Sequence, residues 1–597
     1  MRLGLRLALA FLLIGSAANA EPAKLTDFEQ HALTVQAKRL GASPEIVADP
    51  DGKLIERVDI VVLDVFDEDD PVPDFVDIFH TRTRDFVIRR ELLFREGERY
   101  VGARVEESAR NLRLLVQQLS LVVVVPLRGS TPGRVRVLVI VKDIWSLRLN
   151  NDFSITSHGL QTLHLEPVEQ NLAGLHTTVG LDYWLDPATY SFGTFASQNR
   201  ILGTSLYAYA GGSAILNRAS GQTEGSRGNF IFGDPLRNAR QHWAYNSSVY
   251  WDDEMSRHFN PDGTTQTFDA LSTLQHEAIP IEFRARRYIG GYEAIRSFGF
   301  VNKYDLYFGF EMDRRENQHT PVPGESAAAE KEFVATWVPL SDTRVSPFVQ
   351  LRTHREIYLR SSNLETLALT EDYRLGPEVL LRVYPASSKF GSTRDLIGVL
   401  AGVSWTKFGG NSLLRIVAEN RIEYEFEGRH DADVLVNLRL FSPTAGFGRF
   451  VFDGLMRDRY ENYLNRYFEL GGDTRLRGYP QAGYLYSAKG PIVLALNWEF
   501  RTRSIDLFSV HTGLAAFYDA GNASDSWEHL RLKHSAGVGL RFVVPELDRV
   551  VLRADWAFPF EPAPGYSTFP GAFFITYNQA MGMPSLDTPT VTRPDLH

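Results

Sequence analysis

The chain has 597 residues, a net charge of −10 and no cysteine. The missing thiols exclude a disulfide framework, a thiolate metal site and a cysteine nucleophile. The mild, dispersed negative charge gives no basis for nucleic-acid binding. At the start, Arg2 and Arg6 precede an apolar run from Leu7 to Ile14, and Ala18-Asn19-Ala20 supplies the small-x-small pattern of a signal-peptidase site. The run is too short for a spanning helix, so residues 1–20 are expected to be a secretory signal peptide cut after Ala20.

Residues 21–54 read as a lead-in, with a helix predicted over Asp27 to Leu40. Residues 55–145 read as a compact mixed unit. A β-branched strand runs from Ile55 to Val65, and an acidic loop follows, Asp67-Glu68-Asp69-Asp70-Pro71. That loop lacks the ligand spacing and the glycine of an EF-hand, so it is expected to be a solvated connection. A helix is predicted from Phe86 to Phe94, with Val87, Leu92 and Leu93 on its core face, and Gly97 breaks it. A second is predicted from Glu106 to Leu119, with Ala109, Leu112, Leu115 and Val116 at helical spacing. Strands follow at Leu121–Pro126 and Arg134–Val141. In the latter, Val135, Val137, Val139 and Val141 alternate with Arg134, Arg136, Leu138 and Ile140. The predicted order is strand, helix, helix, strand, strand.

From Trp145 onward, short alternating segments are separated by Gly, Pro, Asn and Asp, the pattern of an all-β sandwich or barrel. The C-terminal segments tilt this toward a transmembrane barrel. In Ile492 to Arg503, Ile492, Leu494, Leu496, Trp498 and Phe500 oppose Val493, Ala495, Asn497, Glu499 and Arg501. Ala536, Val538, Leu540 and Phe542 oppose Ser535, Gly537, Gly539 and Arg541. Leu552, Ala554, Trp556 and Phe558 oppose Val551, Arg553, Asp555 and Ala557. Phe573, Ile575 and Tyr577 oppose Phe574, Thr576 and Asn578. Full charges and glycines on one face suit a hydrated lumen, and segments of about 9 to 11 residues suit a tilted bilayer crossing. Strand candidates between 145 and 580 number from about 16 to 20, with Ala270–Ile281 a weak one; an even number is the rule for such barrels.

Residues 471–480 read Gly-Gly-Asp-Thr-Arg-Leu-Arg-Gly-Tyr-Pro. Leu476-Arg477-Gly478-Tyr479 resembles the loop signature of the BamA/TamA-type outer-membrane assembly superfamily, the bacterial surface antigens. "LNWEFRTR" (496–503), with Glu499, resembles the strand that follows that loop in the family. "FYDAGNA" (517–523), with Phe517, Asp519 and Gly521, resembles the family's Phe-x-Asp-x-Gly strand. Five strands are expected after the loop, as in the family. The stretches "RRELLFREGERY" (89–100) and "EESARNLRLL" (106–115) resemble a polypeptide-transport-associated (POTRA) domain.

The resemblance implies a sixteen-stranded antiparallel barrel over 146–580 behind one periplasmic POTRA domain over 55–145. It implies that the loop Tyr460–Lys489 folds inward and that Arg477 meets Glu499 and Asp519. The seam between first and last strands would fall at Trp145–Thr156 and Gly571–Gln579. Two departures stand out: a single POTRA unit, and a tail, residues 581–597, beyond the last strand. The implied partners are outer-membrane lipid, unfolded outer-membrane or exported polypeptides, and periplasmic accessory proteins. The expected work is assembly, insertion or translocation of polypeptides without ATP or cofactor. A two-partner-type secretion pore and a passive porin are the alternatives. No Gly-x-Ser-x-Gly, His-Glu-x-x-His or phosphate-binding glycine loop occurs, so no catalytic, cofactor or metal residue is assigned.

Overall fold

The computed structural model describes residues 25–65, 81–115, 119–156, 159–274, 276–485, 487–507, 510–562 and 567–586. The expected signal peptide, the Asp67–Pro71 loop, Val116 and the tail beyond 586 lie outside the described residues.

The first helix, α1 (Asp27–Arg39), starts on a capping box. Thr26 Oγ1 accepts the Glu29 N–H at 3.2 Å, and Glu29 Oε2 accepts the Thr26 N–H at 2.8 Å. The helix ends on Lys38 and Arg39, basic residues that suit a helix C-terminus. Next come β1 (Leu54–Leu63), a short α2 (Asp85–Arg89), α3 (Gly102–Leu115), β2 (Leu119–Arg128) and β3 (Arg134–Asp143). They form a three-stranded sheet in the order β1-β3-β2, with β1 parallel and β2 antiparallel to β3.

The central strand has two buried faces, and this gives the lead-in its job. Val135, Val137, Val139 and Val141 pack with Ile88, Ala109 and Leu112 of α2 and α3, while Leu138 and Ile140 pack with Ala32, Leu33 and Ala37 of α1. The helices differ from expectation. The first closes at Arg89 rather than Phe94, with Val87 and Ile88 as its buried residues and Leu92 and Leu93 only half-buried beyond it. The second runs Gly102–Leu115, not Glu106–Leu119, because Leu119 already belongs to the hydrogen-bonded edge strand β2. Leu119 and Leu127 are buried there, so pairing extends past the predicted Leu121–Pro126 at both ends.

The remainder is a closed antiparallel barrel of twenty strands. They are β4 (Leu147–Thr156), β5 (Gly159–Glu169), β6 (Thr177–Leu185), β7 (Thr189–Gln198), β8 (Tyr207–Asn217), β9 (Thr223–Asp234) and β10 (Trp243–Arg257), followed by β11 (Glu282–Phe298), β12 (Asn302–Gln318), β13 (Asp342–Arg355) and β14 (Gly376–Ala386). The circuit continues with β15 (Leu396–Gly409), β16 (Ser412–Glu425), β17 (Asp431–Phe441), β18 (Gly448–Asn462), β19 (Ile492–Thr502), β20 (Val510–Ser524), β21 (Lys533–Val543), β22 (Leu552–Pro559) and β23 (Ala572–Tyr577). A three-residue segment, Ile505–Leu507, also pairs with β20.

The expected sixteen is therefore wrong. That figure came from the family resemblance, whereas strand-like segments in the chain numbered up to about 20. Each added hairpin widens a barrel without breaking its alternation, so a circle of twenty closes on the same local rules. The stretch 207–318 contributes five full strands, and the weak segment Ala270–Ile281 contributes none. It sits in a loop, where Ile279–Pro280 pairs only with Thr267–Phe268.

Alternation sorts the two faces. Val349, Leu381, Ile397, Phe450, Trp498, Leu514, Val538 and Trp556 point out and are exposed, forming an apolar belt. Arg382, Arg439, Asn497, Glu499, Asp519, Arg541, Arg553 and Asp555 point in and are buried. Single strands thus carry an apolar outer row and a charged inner row, the arrangement of a barrel whose outside meets lipid. Closure is uneven. β4 and β5 share ten register pairs, whereas β23 meets β4 through only three, Phe573↔Ile155, Phe574↔Ser154 and Ile575↔Phe153.

Candidate functional site: a loop locked inside the barrel

The site begins at the connection between β18 and β19, residues 463–491. It contains a small hairpin, Phe468–Leu470 paired with Ala488–Gly490, and it starts after Asn462 rather than at the expected Tyr460. Five strands follow it, β19 to β23. Its tip folds into the lumen. Leu476 is buried and packs with Leu470, Tyr479, Val493 and Ala495. Gly478 sits at φ 93°, a left-handed conformation that costs other residues. Tyr479 donates its hydroxyl to the His534 carbonyl at 2.9 Å, tying the tip to the start of β21.

Arg477 is fully buried against the wall. Its Nε and Nη2 donate to the two oxygens of Asp519, each at 2.8 Å, a fork-to-fork pair. Its Nη1 donates to Glu499 Oε1 at 2.6 Å and to Asp555 Oδ2 at 3.2 Å, and its main-chain N–H also reaches Asp519 at 3.2 Å. The guanidinium lies 3.5 Å from the centre of the Phe517 ring. Three carboxylates from β19, β20 and β22 thus converge on one cation that stacks on an aromatic face. Gly521, on the same strand as Asp519, leaves room for Leu470; an added methyl would meet its side chain at 3.0 Å.

The structure brings together all of Leu476, Arg477, Gly478, Tyr479, Glu499, Phe517, Asp519 and Gly521. Sequence reasoning missed the rest of the network. Arg541 donates to Asp555 at 2.5 Å, Arg553 to Asp555 at 2.7 Å and to Asp473 at 2.5 Å, and Arg501 to Glu499 at 2.7 Å. Four guanidinium groups therefore face four carboxylates, and each buried charge has an opposite neighbour, as burial demands. The signal was available: Arg553 and Asp555 share the inward parity of β22, and Arg541 that of β21.

Arg475, two residues from Arg477, goes elsewhere. Its Nη1 meets Asp453 on β18, a carboxylate that also accepts from Arg439 at 2.8 Å and from Asn437 at 3.2 Å.

Among the described residues, one group brings metal-ligand atoms together: His164, Glu166 and Asp182, within 4.8 Å of one another. Each already has a partner. His164 pairs with Asp182 at 2.8 Å, Ser213 donates to Asp182 at 2.9 Å, and Asn150 donates to Glu166 at 2.7 Å. The group is a hydrogen-bonded patch on the β5–β6 wall.

The fold and site define a closed barrel with a small α+β domain in front and a cation on an internal loop clamped by three wall carboxylates. No family profile matches the chain, and no curated protein matches it. Among solved structures, it is similar to BamA from Haemophilus ducreyi lacking POTRA domains 1-3, at 12% identity and a TM-score of 0.31, over 97% of each chain. It is similar to CdiB from Acinetobacter baumannii at 11% identity and a TM-score of 0.39, over 97% of this chain and 96% of that one. For CdiB from Escherichia coli the values are 10%, 0.36, 97% and 96%.

Proposed function

We propose that the chain is an outer-membrane barrel of the BamA-type superfamily that assists the assembly, insertion or translocation of polypeptides without ATP or cofactor. The observation that carries this is the buried pairing of Arg477, in the Leu-Arg-Gly-Tyr loop, with Asp519, Glu499 and Asp555. The seam supports the reading further. An unpaired strand edge costs several kcal/mol per unsatisfied group in lipid, and the three-pair junction of β23 with β4 is where an edge opens at least cost. A client strand pairing there would enter the bilayer with its main chain satisfied.

The front unit, residues 55–145, would act as a POTRA domain in the periplasm. Clients would add a strand to a sheet edge. One end of the β2 edge is taken: Ile46 bridges Leu127, and the Val47 N–H donates to the Pro126 carbonyl at 3.0 Å. The far half of β1 is the better candidate.

Depletion in the source cell tests the reading. Loss of many outer-membrane barrels is the expected result, with the mature chain starting at Glu21, fractionating with the outer membrane and shifting in gel position on boiling. Loss of one exported partner alone would favour a dedicated secretion pore. Unchanged outer-membrane and exported proteins would sink both.

A further inference from the structure

The segment after the last strand does not leave the barrel. Gln579 Nε2 donates to the Glu365 carbonyl at 2.8 Å, on the connection between β13 and β14, and the chain then crosses the lumen to the opposite wall. There Arg439, on β17, donates to the main-chain carbonyls of Met581 at 2.6 Å and Gly582 at 2.7 Å. Arg415, on β16, donates to the Pro584 carbonyl. Leu586 then enters an apolar pocket of Leu380, Leu400 and Val417. Gly402 opens that pocket: a methyl there would stand 2.8 Å from Leu586 Cδ2. Ala580, Met581 and Leu586 are all buried.

Two features separate this from incidental packing. Arg415 and Arg439 are direct cross-strand partners. Arg439 is paired with Asp453 and Glu365, and Arg415 donates to Thr406, yet both guanidinium groups also donate to main-chain carbonyls of the one segment. The arginine contacts are also made to main-chain oxygens, which any polypeptide presents; side chains are read at Gln579, Met583 and the Leu586 pocket.

We infer that the inner wall of β14–β17 is a binding track for extended polypeptide, and that residues 579–586 are its resident, displaceable occupant. The inference deepens the polypeptide-handling reading and rests on it for the identity of the displacing ligand. The tail holds the track closed in the resting barrel. An incoming segment with an apolar residue at the Leu586 position competes for the same arginine donors.

The test uses the full chain, a variant lacking residues 580–597, and a Gly402→Cys/Leu586→Cys variant, which carries the chain's only thiols. Planar-bilayer conductance and binding of a fluorescent synthetic peptide of residues 578–597 are measured, with competition by an unrelated unfolded peptide carrying a leucine at the matching position. The tail-less barrel should conduct several-fold more, bind the peptide, close again on binding it, and release it to the unrelated competitor. Arg415→Gln in the tail-less barrel should weaken peptide binding about tenfold. If tail removal disturbs folding, the cysteine pair decides: oxidised, it should exclude the unrelated peptide; reduced, it should admit it. Unchanged conductance on tail removal, no binding of the tail peptide, no competition by the unrelated one, or equal binding in both redox states would overturn the inference. Peptide binding together with an outer membrane unaffected by depletion would leave the track standing and refute the client-handling reading instead.

Discussion

Arg477 makes contacts that no other described residue of the 463–491 loop duplicates. Removing a partner from a buried ion pair costs about 3 to 5 kcal/mol, because the charge left behind stays desolvated. Arg477→Ala strands Asp519 with Asn497 and the main-chain N–H of residue 477 as its remaining donors, while Glu499 keeps Arg501. It should lower barrel stability by about that amount. Arg475→Ala should cost much less, since Asp453 keeps Arg439 and Asn437. A double-mutant cycle of Arg477→Ala with Asp519→Ala in refolding titrations should show coupling well above the few tenths of a kcal/mol of independent sites; additive losses would break the lock argument. His176 offers a pH test outside the spanning strands. It is buried at the joint between domain and barrel, 2.8 Å from Thr83 Oγ1, and burial pushes its pKa down from 6.5 to about 4. A histidine with a depressed folded pKa favours the folded form fully above 6.5, and that contribution is lost as pH falls from 6.5 toward 4. The loss is on the order of 3 kcal/mol over that window. Melting temperature should therefore fall on acidification and fall less in His176→Gln; equal pH profiles would refute the assignment. The inward parity of Glu499 and Asp519 was legible from a period of two, and their pairing with Arg477 was what the family resemblance implied; Asp555 shares that parity but was not assigned to the lock. His176 was not legible, since its burial depends on a domain docking across 93 positions of sequence separation from Thr83.

At the level of elements, the seam invites the next experiment. β23 is six residues long, and only three of its residues pair with β4. Phe573 and Ile155 are register partners on the outer face. In a chain without native cysteine, Ile155→Cys with Phe573→Cys gives a single possible disulfide. Oxidised, the pair should hold the seam, keep or raise thermal stability, and stop client insertion into vesicles; reduced, it should restore insertion. Insertion equal in both redox states would show that clients do not use this edge. The seam near residues 145–156 and 571–579 was what the family resemblance implied, and alternation over 571–579 agreed with a strand there. The strand number was not legible. Periodicity counts segments but does not say which cross the bilayer, and Ala270–Ile281 resembles a weak strand while lying in a loop closed by Thr267–Phe268. The lead-in helix α1 was legible as a helix over Asp27 to Leu40, but its role was not, because covering Leu138 and Ile140 depends on both faces of β3 being buried.

Across the whole molecule, polar contacts hold the front domain to the barrel. Arg113 of α3 makes a two-pronged pair with Asp372 at 2.6 and 3.0 Å, and Arg200 makes another with Glu91 at 2.8 and 2.6 Å. Arg360 meets Glu29, and Arg549 donates to the Leu119 and Thr370 carbonyls at 3.2 and 2.8 Å. Asp372, Arg360 and Thr370 belong to the β13–β14 connection, which also supplies Glu365 to Arg439, the residue gripping the tail. Domain, connection and tail are thus linked through adjacent charge pairs at one end of the lumen. Interfaces of this polar kind permit rigid-body movement more readily than apolar ones. The Arg113–Asp372 pair is nearly solvent-free, with side chains 4% and 5% exposed. Asp372→Arg sets two buried cations against each other and should release the domain, whereas adding Arg113→Asp rebuilds the pair with its charges exchanged and should restore docking. Distances between spin labels placed at single introduced cysteines on α3 and the barrel rim measure this directly. The expected result is a broadened, longer distribution for Asp372→Arg and recovery in the double variant. A domain that stays docked in Asp372→Arg would show that Arg200–Glu91 and the Arg549 contacts suffice to hold it.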